Sequence, residues 1–537
     1  MYIPRLPREP LKTFQRNFRL FRGSLRQCSR LYAKLPESRK GILHAVVCLD
    51  LKMICGLDFG TSNCSIGIWK NDASLLVPIS KNGPYLPSVA YVARKEYADV
   101  SINEGLLDRR IEDALREENA RRAGARRSGI AYKGLSERDI EARERSLLRQ
   151  EGVAESEEQY SSQTLADAIN SSQKMLFGEE AIQANVSSPG EGFYFKSPKL
   201  FLGTDVHKTH LDIFRRIISS MILEVRSRAQ TRIGDELRKV VIGHPVRYSL
   251  VKGHSGNDQA LAVMEGAARD AGFSEVAFLP EPFAAALNYE MSTAQEEVIL
   301  VVDVGGGTTD CAVIRVGPKR LAEKNRSKDV LSYAGARVGG VDMDFHLAWY
   351  AIMPCMGKDT LRKNGLPTPH SVLIDAICVN DFPAQERFRR AGPAIRGLLD
   401  EACEPEKLQR LLYVWQQALQ FRLVRSAEQA KIALSDKAQT SLPLGYVDSE
   451  LDIPVSHRRL MDSIDSDLEQ MSKVANEAVA SASAKIDKIF MTGGTSRSPA
   501  VVERIKQSLK LSVPVLSGDD FGAVTMGLTR YAQGIFK

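Results

Sequence analysis

Residues 301–314 read Val301-Val302-Asp303-Val304-Gly305-Gly306-Gly307-Thr308-Thr309-Asp310-Cys311-Ala312-Val313-Ile314, or VVDVGGGTTDCAVI. An apolar run ends on an aspartate, three glycines and two threonines follow, and a second apolar run begins. Short apolar runs rich in β-branched residues and bounded by glycine predict two strands joined by a tight turn. The pattern recurs at 54–68, ICGLDFGTSNCSIGI, with Asp58 at the equivalent strand end. One glycine-rich hairpin turn means little. Two, each with an acid in the same place, point to a shared task.

Glycine lets backbone N–H groups come close to an anion, and successive N–H groups in a tight turn form an anion-binding nest. Thr61 and Thr308 add hydroxyl donors. A carboxylate repels phosphate, so Asp58 and Asp303 make sense only across a Mg2+ ion, through metal-bound waters. Two such turns, one per lobe, would hold a polyphosphate between them. The chain has no G-x-x-x-x-G-K-[ST] motif, which excludes a P-loop protein.

The remaining features bound the answer. A chain of 537 residues exceeds one ordinary core and predicts two or more lobes. Its 43% hydrophobic and 26% charged residues read as globular and soluble. No apolar run approaches the roughly 20 residues that span a bilayer. The net charge of +7 is local, because residues 1–52 hold twelve Lys or Arg against three acids. The remainder is slightly acidic and offers no basic surface for nucleic acid. Eight cysteines without a C-x-x-C pair read as reduced thiols of a cytoplasmic protein. His207 and His210 could share a helix face, but no cysteine or carboxylate motif completes a metal site, so they read as surface histidines.

Residues 1–52 resemble a mitochondrial transit peptide in composition. The preferred reading is that Met53 opens the native chain, the leader being an over-extended gene reading or a disordered arm. From 53 to about 95 the signal is strands. Residues 99–185, dense in Glu, Arg and Ala, predict an exposed helical insertion. Leu211, Phe214, Ile217, Ile218 and Ile222 recur at helical spacing and mark an amphipathic core helix. Strand KVVIGHPV, helix NDQALAVMEGAARDAGF ended by Gly272, strand EVAFL and helix EPFAAALNYE follow. Beyond the opening hairpin come a mostly helical region at about 342–437, strand KIFMTGG, helix SPAVVERIKQSL and a closing helix. Strands alternating with helices predict a mixed α/β protein.

The two turns resemble the phosphate loops of the actin–hexokinase–heat-shock-70 superfamily, and DVGGGTTD is especially similar to the second loop of the heat-shock-70 (DnaK-type) chaperone ATPase. Four further segments resemble that family's motifs in the same order: EPFAAALNYE at 281–290, GARVGGVDMD at 335–344, SAEQAKIALS at 426–435 and TGGTSRSPAV at 492–501. The stretch FYFKSPKLFLG and the ending DDFGAVTMGL look most like the short YegD-like members, which lack a peptide-binding domain.

The resemblance implies an α/β fold, a two-lobed actin-like ATPase of duplicated ribonuclease H-like domains with a helical insertion in the first lobe. Lobe I would span 53–297 (insertion about 99–185) and be completed by 515–537; lobe II would span 298–514, with a helical subdomain at about 342–437. ATP or ADP with Mg2+ would lie between them. Lys199, Glu281 and Asp310 would be catalytic, with Asp58 and Asp303 orienting the hydrated metal. Gly60, Thr61, Ser62 and Asn63 would cradle phosphates from one side, and Gly305, Gly306, Gly307, Thr308 and Thr309 from the other. Gly339, Gly340, Glu428, Lys431, Ser435, Gly493, Gly494, Thr495 and Arg497 would contact the nucleotide. Lys196 rivals Lys199 for its role, Glu281 also suits a helix N-terminus structurally, and Glu428 with Lys431 would otherwise read as a surface ion pair.

Two departures stand out. Where the family usually has an arginine stacking on adenine, this chain has Ile432. Pro245 matches the family's switch proline, but the arginine that follows it there has no clear counterpart. The implied function is an ATP-binding, slowly ATP-hydrolysing, heat-shock-70-like chaperone protein that works by nucleotide-driven opening and closing of its cleft, monomeric, with an unfolded client or co-chaperone as partner and neither nucleic acid nor membrane. A small-molecule kinase of the sugar-kinase type, or a non-hydrolysing actin-like module or ATP sensor, is the alternative.

Overall fold

The structure is a computed structural model that describes residues 53–93, 102–127, parts of 136–148, residue 169, 175–203, 208–248, 253–321, 323, 325–517 and 522–536. The leader 1–52, His207, the side chain of His210 and much of the insertion lie outside the described residues.

The first lobe contains strands β1 (Met53–Phe59), β2 (Asn63–Lys70), β3 (Ala73–Leu76), β4 (Leu86–Pro87), β5 (Val89–Ala93), β6 (Leu176–Phe177), β7 (Gly192–Lys196), β8 (Leu237–His244) and β9 (Glu275–Pro280). The second contains β10 (Glu297–Val304), β11 (Thr309–Val316), β12 (Val330–Ala336), β13 (Gln439–Pro443), β14 (Asp452–Ser456), β15 (Lys488–Thr492) and β16 (Val515–Ser517). The major sheets run β3-β2-β1-β8-β9 and β12-β11-β10-β15-β16. In each, a hairpin and a third antiparallel strand continue into two parallel strands. The two orders and senses are the same.

Strand periodicity explains where the acids point, because alternate side chains share a face. Along β10, Val302 and Val304 enter the second lobe's own core, whereas Ile299 and Val301 enter an apolar cluster between the lobes. Asp303 continues that second series to the strand end. Along β1, Cys55, Leu57 and Phe59 fill the first lobe's core, which leaves Asp58 on the opposite face with Gly56 and Ile54. Both hairpins therefore deliver a carboxylate toward the middle of the molecule.

Two crossing helices, Glu281–Tyr289 and Ala523–Ile535, fill that middle. Their small residues set the distance: a Cβ on Gly527 would fall 1.8 Å from the Ala284 carbonyl oxygen. One on Gly56 would fall 2.3 Å from the backbone nitrogen of Thr529. The alanine run of EPFAAALNYE thus allows close crossing, with Ala284, Ala285, Ala286 and Leu287 buried in the interlobe cluster.

Helix Lys208–Ile233 backs the first sheet with Phe214, Ile217, Ile218 and Ile222 buried, as its spacing predicts. Each such side chain contributes about 1.5–3 kcal/mol on burial. Several features differ from the sequence reading. Strand β16 pairs with β15, so residues 515–517 belong to the second sheet, and the helix Ala523–Ile535 alone returns to the first. In the insertion, helix Glu104–Arg127 buries Leu107, and β6 with helix Glu179–Ser187 joins the small β6-β5-β7 sheet, so residues 176–185 are part of the lobe body. Strand β12, the β13–β14 hairpin and the helix His457–Ala482 lack a counterpart in that reading.

Candidate functional site

The two turns meet. A Cβ on Gly306 would lie 2.4 Å from Ser62 Oγ and 3.3 Å from Thr61 Cβ, and one on Gly307 would lie 3.2 Å from Thr61 Oγ1. Each turn is closed by its own hydrogen bond, Gly60 N–H to Asn63 O at 3.1 Å and Gly305 N–H to Thr308 O at 2.9 Å. The second is tied from behind: Gly340 and Val341 N–H donate to the Gly305 and Gly306 carbonyls at 3.1 and 2.7 Å. Thr495 Oγ1 donates to Gly305 O at 2.8 Å. With its carbonyls engaged, the loop has its N–H groups to offer.

Beneath the turns sits a cluster of acids around one lysine. Lys199 is buried in the short helix Pro198–Phe201, and its Nζ lies 2.5 Å from Glu281 Oε1. Burial disfavours the ammonium, but Glu281, Tyr248 and Asp58 outweigh it and push the lysine up. Burial raises Asp58 to about 7, with Glu281 adding to the shift and Lys199 opposing it. Asp310 also rises to about 7, first from burial and then from Glu281, while hydrogen bonds from Thr308 and Val246 hold it back. Asp303 is driven well up by burial and by Glu281, Asp310 and Asp58 together. Four carboxyl groups thus share one ammonium, an electrostatic deficit that a cation would correct.

Among the described residues, no three His, Cys, Asp or Glu side chains are grouped to ligate a metal directly. Mg2+ commonly keeps several of its waters and is held through one or two carboxylates. The acid excess and the glycine cradle therefore suit a hydrated Mg2+ accompanying a polyphosphate.

Above the turns a cavity of about 870 Å³ opens, lined by Thr61, Ser62, Asn63, Gly306, Gly340 and Thr495 on its floor. Its size falls within the range of small-molecule sites. Glu428 and Lys431, on helix Gln420–Ala433, line one wall. Lys431 Nζ reaches Gly340 O at 2.8 Å and pairs with Asp344 at 2.7 Å. Glu428 receives Lys196 from the opposite lobe at 3.3 Å. Burial works against the Glu428 charge, but Lys196 and Lys431 hold its carboxyl low. The rival lysines are thereby separated: Lys199 lies in the buried cluster and Lys196 at the cavity wall.

Gly493 and Gly339 pack under the second turn. Gly493 has φ +87°, and a Cβ there would meet Asp303 Oδ1 at 2.4 Å; one on Gly339 would meet Gly306 backbone at 2.7 Å. Gly494 and Thr495 begin the short helix that ends at Arg497. Ser435 and Arg497 lie outside the residues lining the cavity. Ile432 lines it and is 60% exposed.

Sequence reasoning missed Asp344, Tyr194, Phe421, Arg422, Arg425 and Tyr446, all of which line the cavity. Asp344 ends the quoted GGVDMD motif, and Arg422 and Arg425 precede Glu428 at i,i+3 spacing, so both carried a signal. Tyr446 comes from the β13–β14 connection and had none.

Comparison with known proteins bears on this arrangement. The family described as Hsp70 protein matches residues 199–360 and 408–532, just over half of the sequence. The chain belongs to the Hsp70 family. The Hsp70 match takes in Lys199, Glu281, the second turn and the helix Gln420–Ala433, but stops short of the first turn and of residues 361–407. Two similar curated Hsp70 relatives are both chaperone protein DnaK. That of Elusimicrobium minutum (strain Pei191) is 27% identical over 301 residues, covering 54% of this chain and 38% of its own. That of Thermosipho africanus (strain TCF52B) is 28% identical over 325 residues, covering 58% and 44%. The chain thus spans less than half the length of these relatives. No helix among the described residues is long and apolar enough to cross a membrane.

Proposed function

We propose that this chain binds ATP with Mg2+ between its lobes and slowly transfers the γ-phosphoryl group to water, as a chaperone-type ATPase of the Hsp70 family whose cleft opens and closes with nucleotide. On this reading the two sheets of like topology are duplicated ribonuclease H-like domains of an actin-like fold. The observation that carries it is the meeting of two acid-ended hairpin turns across one cleft, within a Cβ of each other.

Phosphoryl transfer relies on positioning and charge neutralisation. The N–H groups of Gly306, Gly307 and Thr308, with the hydroxyls of Thr61 and Ser62, grip phosphate oxygens. Asp58 and Asp303 would hold a hydrated Mg2+, which when bound would supply neutralisation of the phosphate charge. Lys199 faces the γ-phosphate. Asp310, with a pKa brought to about 7, has the basicity to accept a proton from the attacking water near neutral pH. One of its oxygens is fixed by Val246 N–H at 2.6 Å, beside Pro245. That contact links the γ-phosphate end of the cleft to the switch-proline position. Lys431 and Glu428 hold the nucleoside end.

The test is steady-state phosphate release from ATP with and without Mg2+, beside nucleotide binding by calorimetry. Wild-type protein should bind ADP and ATP and hydrolyse ATP only with the metal. Absence of nucleotide binding at millimolar concentration overturns the proposal.

A further inference from the structure

One aromatic side chain of the second lobe is buried in the core of the first. Phe382 opens the helix Phe382–Arg389, which Asp381 caps by accepting from Ala384 N–H at 2.8 Å. Its ring packs with the first lobe's apolar cluster. It stacks on Phe195 with centroids 5.7 Å apart and meets Phe214 edge-on at 6.3 Å. Phe214 in turn stacks on Phe201 at 4.5 Å.

Phe195 and Phe201 flank the Lys199 turn. Strand β7 ends at Lys196, Ser197 adopts φ 58°, and the short helix Pro198–Phe201 follows. The turn is therefore clamped at both ends by rings linked through Phe382 and Phe214. A second contact reaches it from the same direction: the Arg337 guanidinium of the second lobe donates to the Leu200 carbonyl, adjacent to Lys199. Burial presses the Arg337 charge down, and Asp342 and Asp381 support it. Phe382 falls within 361–407, which the family match leaves uncovered.

We propose that Phe382 and Arg337 are positioning residues, a clasp from the second lobe that sets the Lys199 turn when the lobes are closed. The inference rests on the reading of Lys199 as the residue facing the γ-phosphate. Opening the lobes would withdraw the Phe382 ring and the Arg337 donor together, loosening the turn. Lobe closure and lysine placement then become one event.

The experiment compares wild type, Phe382→Ala, Phe382→Leu and Arg337→Ala by ATP turnover, nucleotide affinity and amide hydrogen exchange in the full chain. A small misplacement of a catalytic group costs up to roughly a hundredfold in rate, so Phe382→Ala should lower kcat about ten- to a hundredfold with nucleotide Kd within about twofold. Phe382→Leu should recover most of the rate, and Arg337→Ala should share the kcat phenotype. Exchange should rise in 192–202 while helix 253–270 stays protected. An unchanged kcat in folded Phe382→Ala overturns the clasp. So does a uniform rise in exchange with kcat and Kd moving together in both Phe382 variants. If wild type fails to hydrolyse ATP, the functional reading falls, and exchange alone decides: without a selective rise in 192–202 the clasp falls too.

Discussion

The two hairpin turns occupy equivalent places in two sheets of the same strand order, yet they are built differently. The first carries side chains at its tip, Thr61, Ser62 and Asn63, and is braced by one neighbour: Ser88 donates its N–H to Ser62 O at 2.9 Å and its hydroxyl to Gly60 O at 2.7 Å. The second has three glycines at its tip, with the Thr308 hydroxyl given to Asp310, and three partners tie its carbonyls, two N–H groups of a helix start and the Thr495 hydroxyl. Hydroxyls can rotate to follow an anion, whereas backbone amides are fixed in place. The first turn therefore adapts and the second presents a preformed nest. Having one of each lets a cleft that opens and closes keep a rigid reference on one side.

Removing the acids breaks the comparison most sharply. Asp303→Asn should lower ATP turnover by about two orders of magnitude or more, the scale of losing a preorganised charge-stabilising group. Asp58→Asn should have a similar but smaller effect, because Asp303 feels three neighbouring carboxyls and Asp58 chiefly one. Steady-state rates at saturating Mg2+-ATP check this. If Asp58→Asn leaves the rate unchanged, the turns are not functional twins.

Packing around the turns ranks next. Gly339→Ala would drive a Cβ to 2.7 Å from the Gly306 carbon and oxygen and the Gly307 nitrogen, none of which can swing aside. Overpacking of this kind costs about 1–3 kcal/mol, measurable by urea unfolding, and nucleotide binding should fall with it. Gly306→Ala meets Ser62 Oγ at 2.4 Å, the end of a side chain free to rotate, so its loss of stability should be smaller. The reverse ranking would make the first turn the rigid one.

The acid cluster also makes stability depend on pH. Asp58 and Asp310 rise from 3.8 to about 7, so the folded state retains protons that the unfolded state releases between those values. Stability from these groups is thus greatest below pH 4 and declines as pH climbs to about 7. A hydrated cation with its nucleotide supplies positive charge that offsets the loss. The increase in Tm on adding Mg2+-ADP should therefore be larger at pH 8 than at pH 5.5. An equal shift at both values would argue against these carboxyls facing the metal.

Much of this was legible because local sequence carries it. A carboxylate at a strand end before glycines leaves a pattern of residue type and spacing, so Asp58, Asp303 and the turns could be found from sequence. The alternation along β1 and β10 even fixes which face each acid takes. The cavity wall was harder to read: Tyr446 and Tyr194 come from separate segments, brought beside Arg422 and Phe421 only by tertiary packing. Phe382 is the extreme case, since nothing within DFPAQERFRR announces that its first aromatic leaves its own lobe. The dense, interleaved charge of residues 99–185 suggested an exposed helical insertion, but pairing of β6 with β5 is decided by a distant strand.

The smallest expected effect concerns the base. Ile432 stands on the helix that carries Glu428 and Lys431, exposed at the cavity wall, where the resemblance leads one to expect arginine. An aliphatic side chain can pack on a flat ring but cannot offer it a cation. Arg422, near the start of the same helix, is already committed to the Tyr446 ring at 4.0 Å and is not free to substitute. Ile432→Arg should therefore tighten ADP binding by about two- to fivefold, the equivalent of the 0.5–1 kcal/mol of an exposed cation–π contact. The gain should be modest because solvent competes for a guanidinium at so open a position, and it should be larger for purine than for pyrimidine nucleotides. Calorimetric titration with ADP and UDP reads both. If affinity stays flat for both nucleotides, the base does not lie against this face of the helix, and the Tyr446–Arg422 side of the cavity becomes the place to look for it.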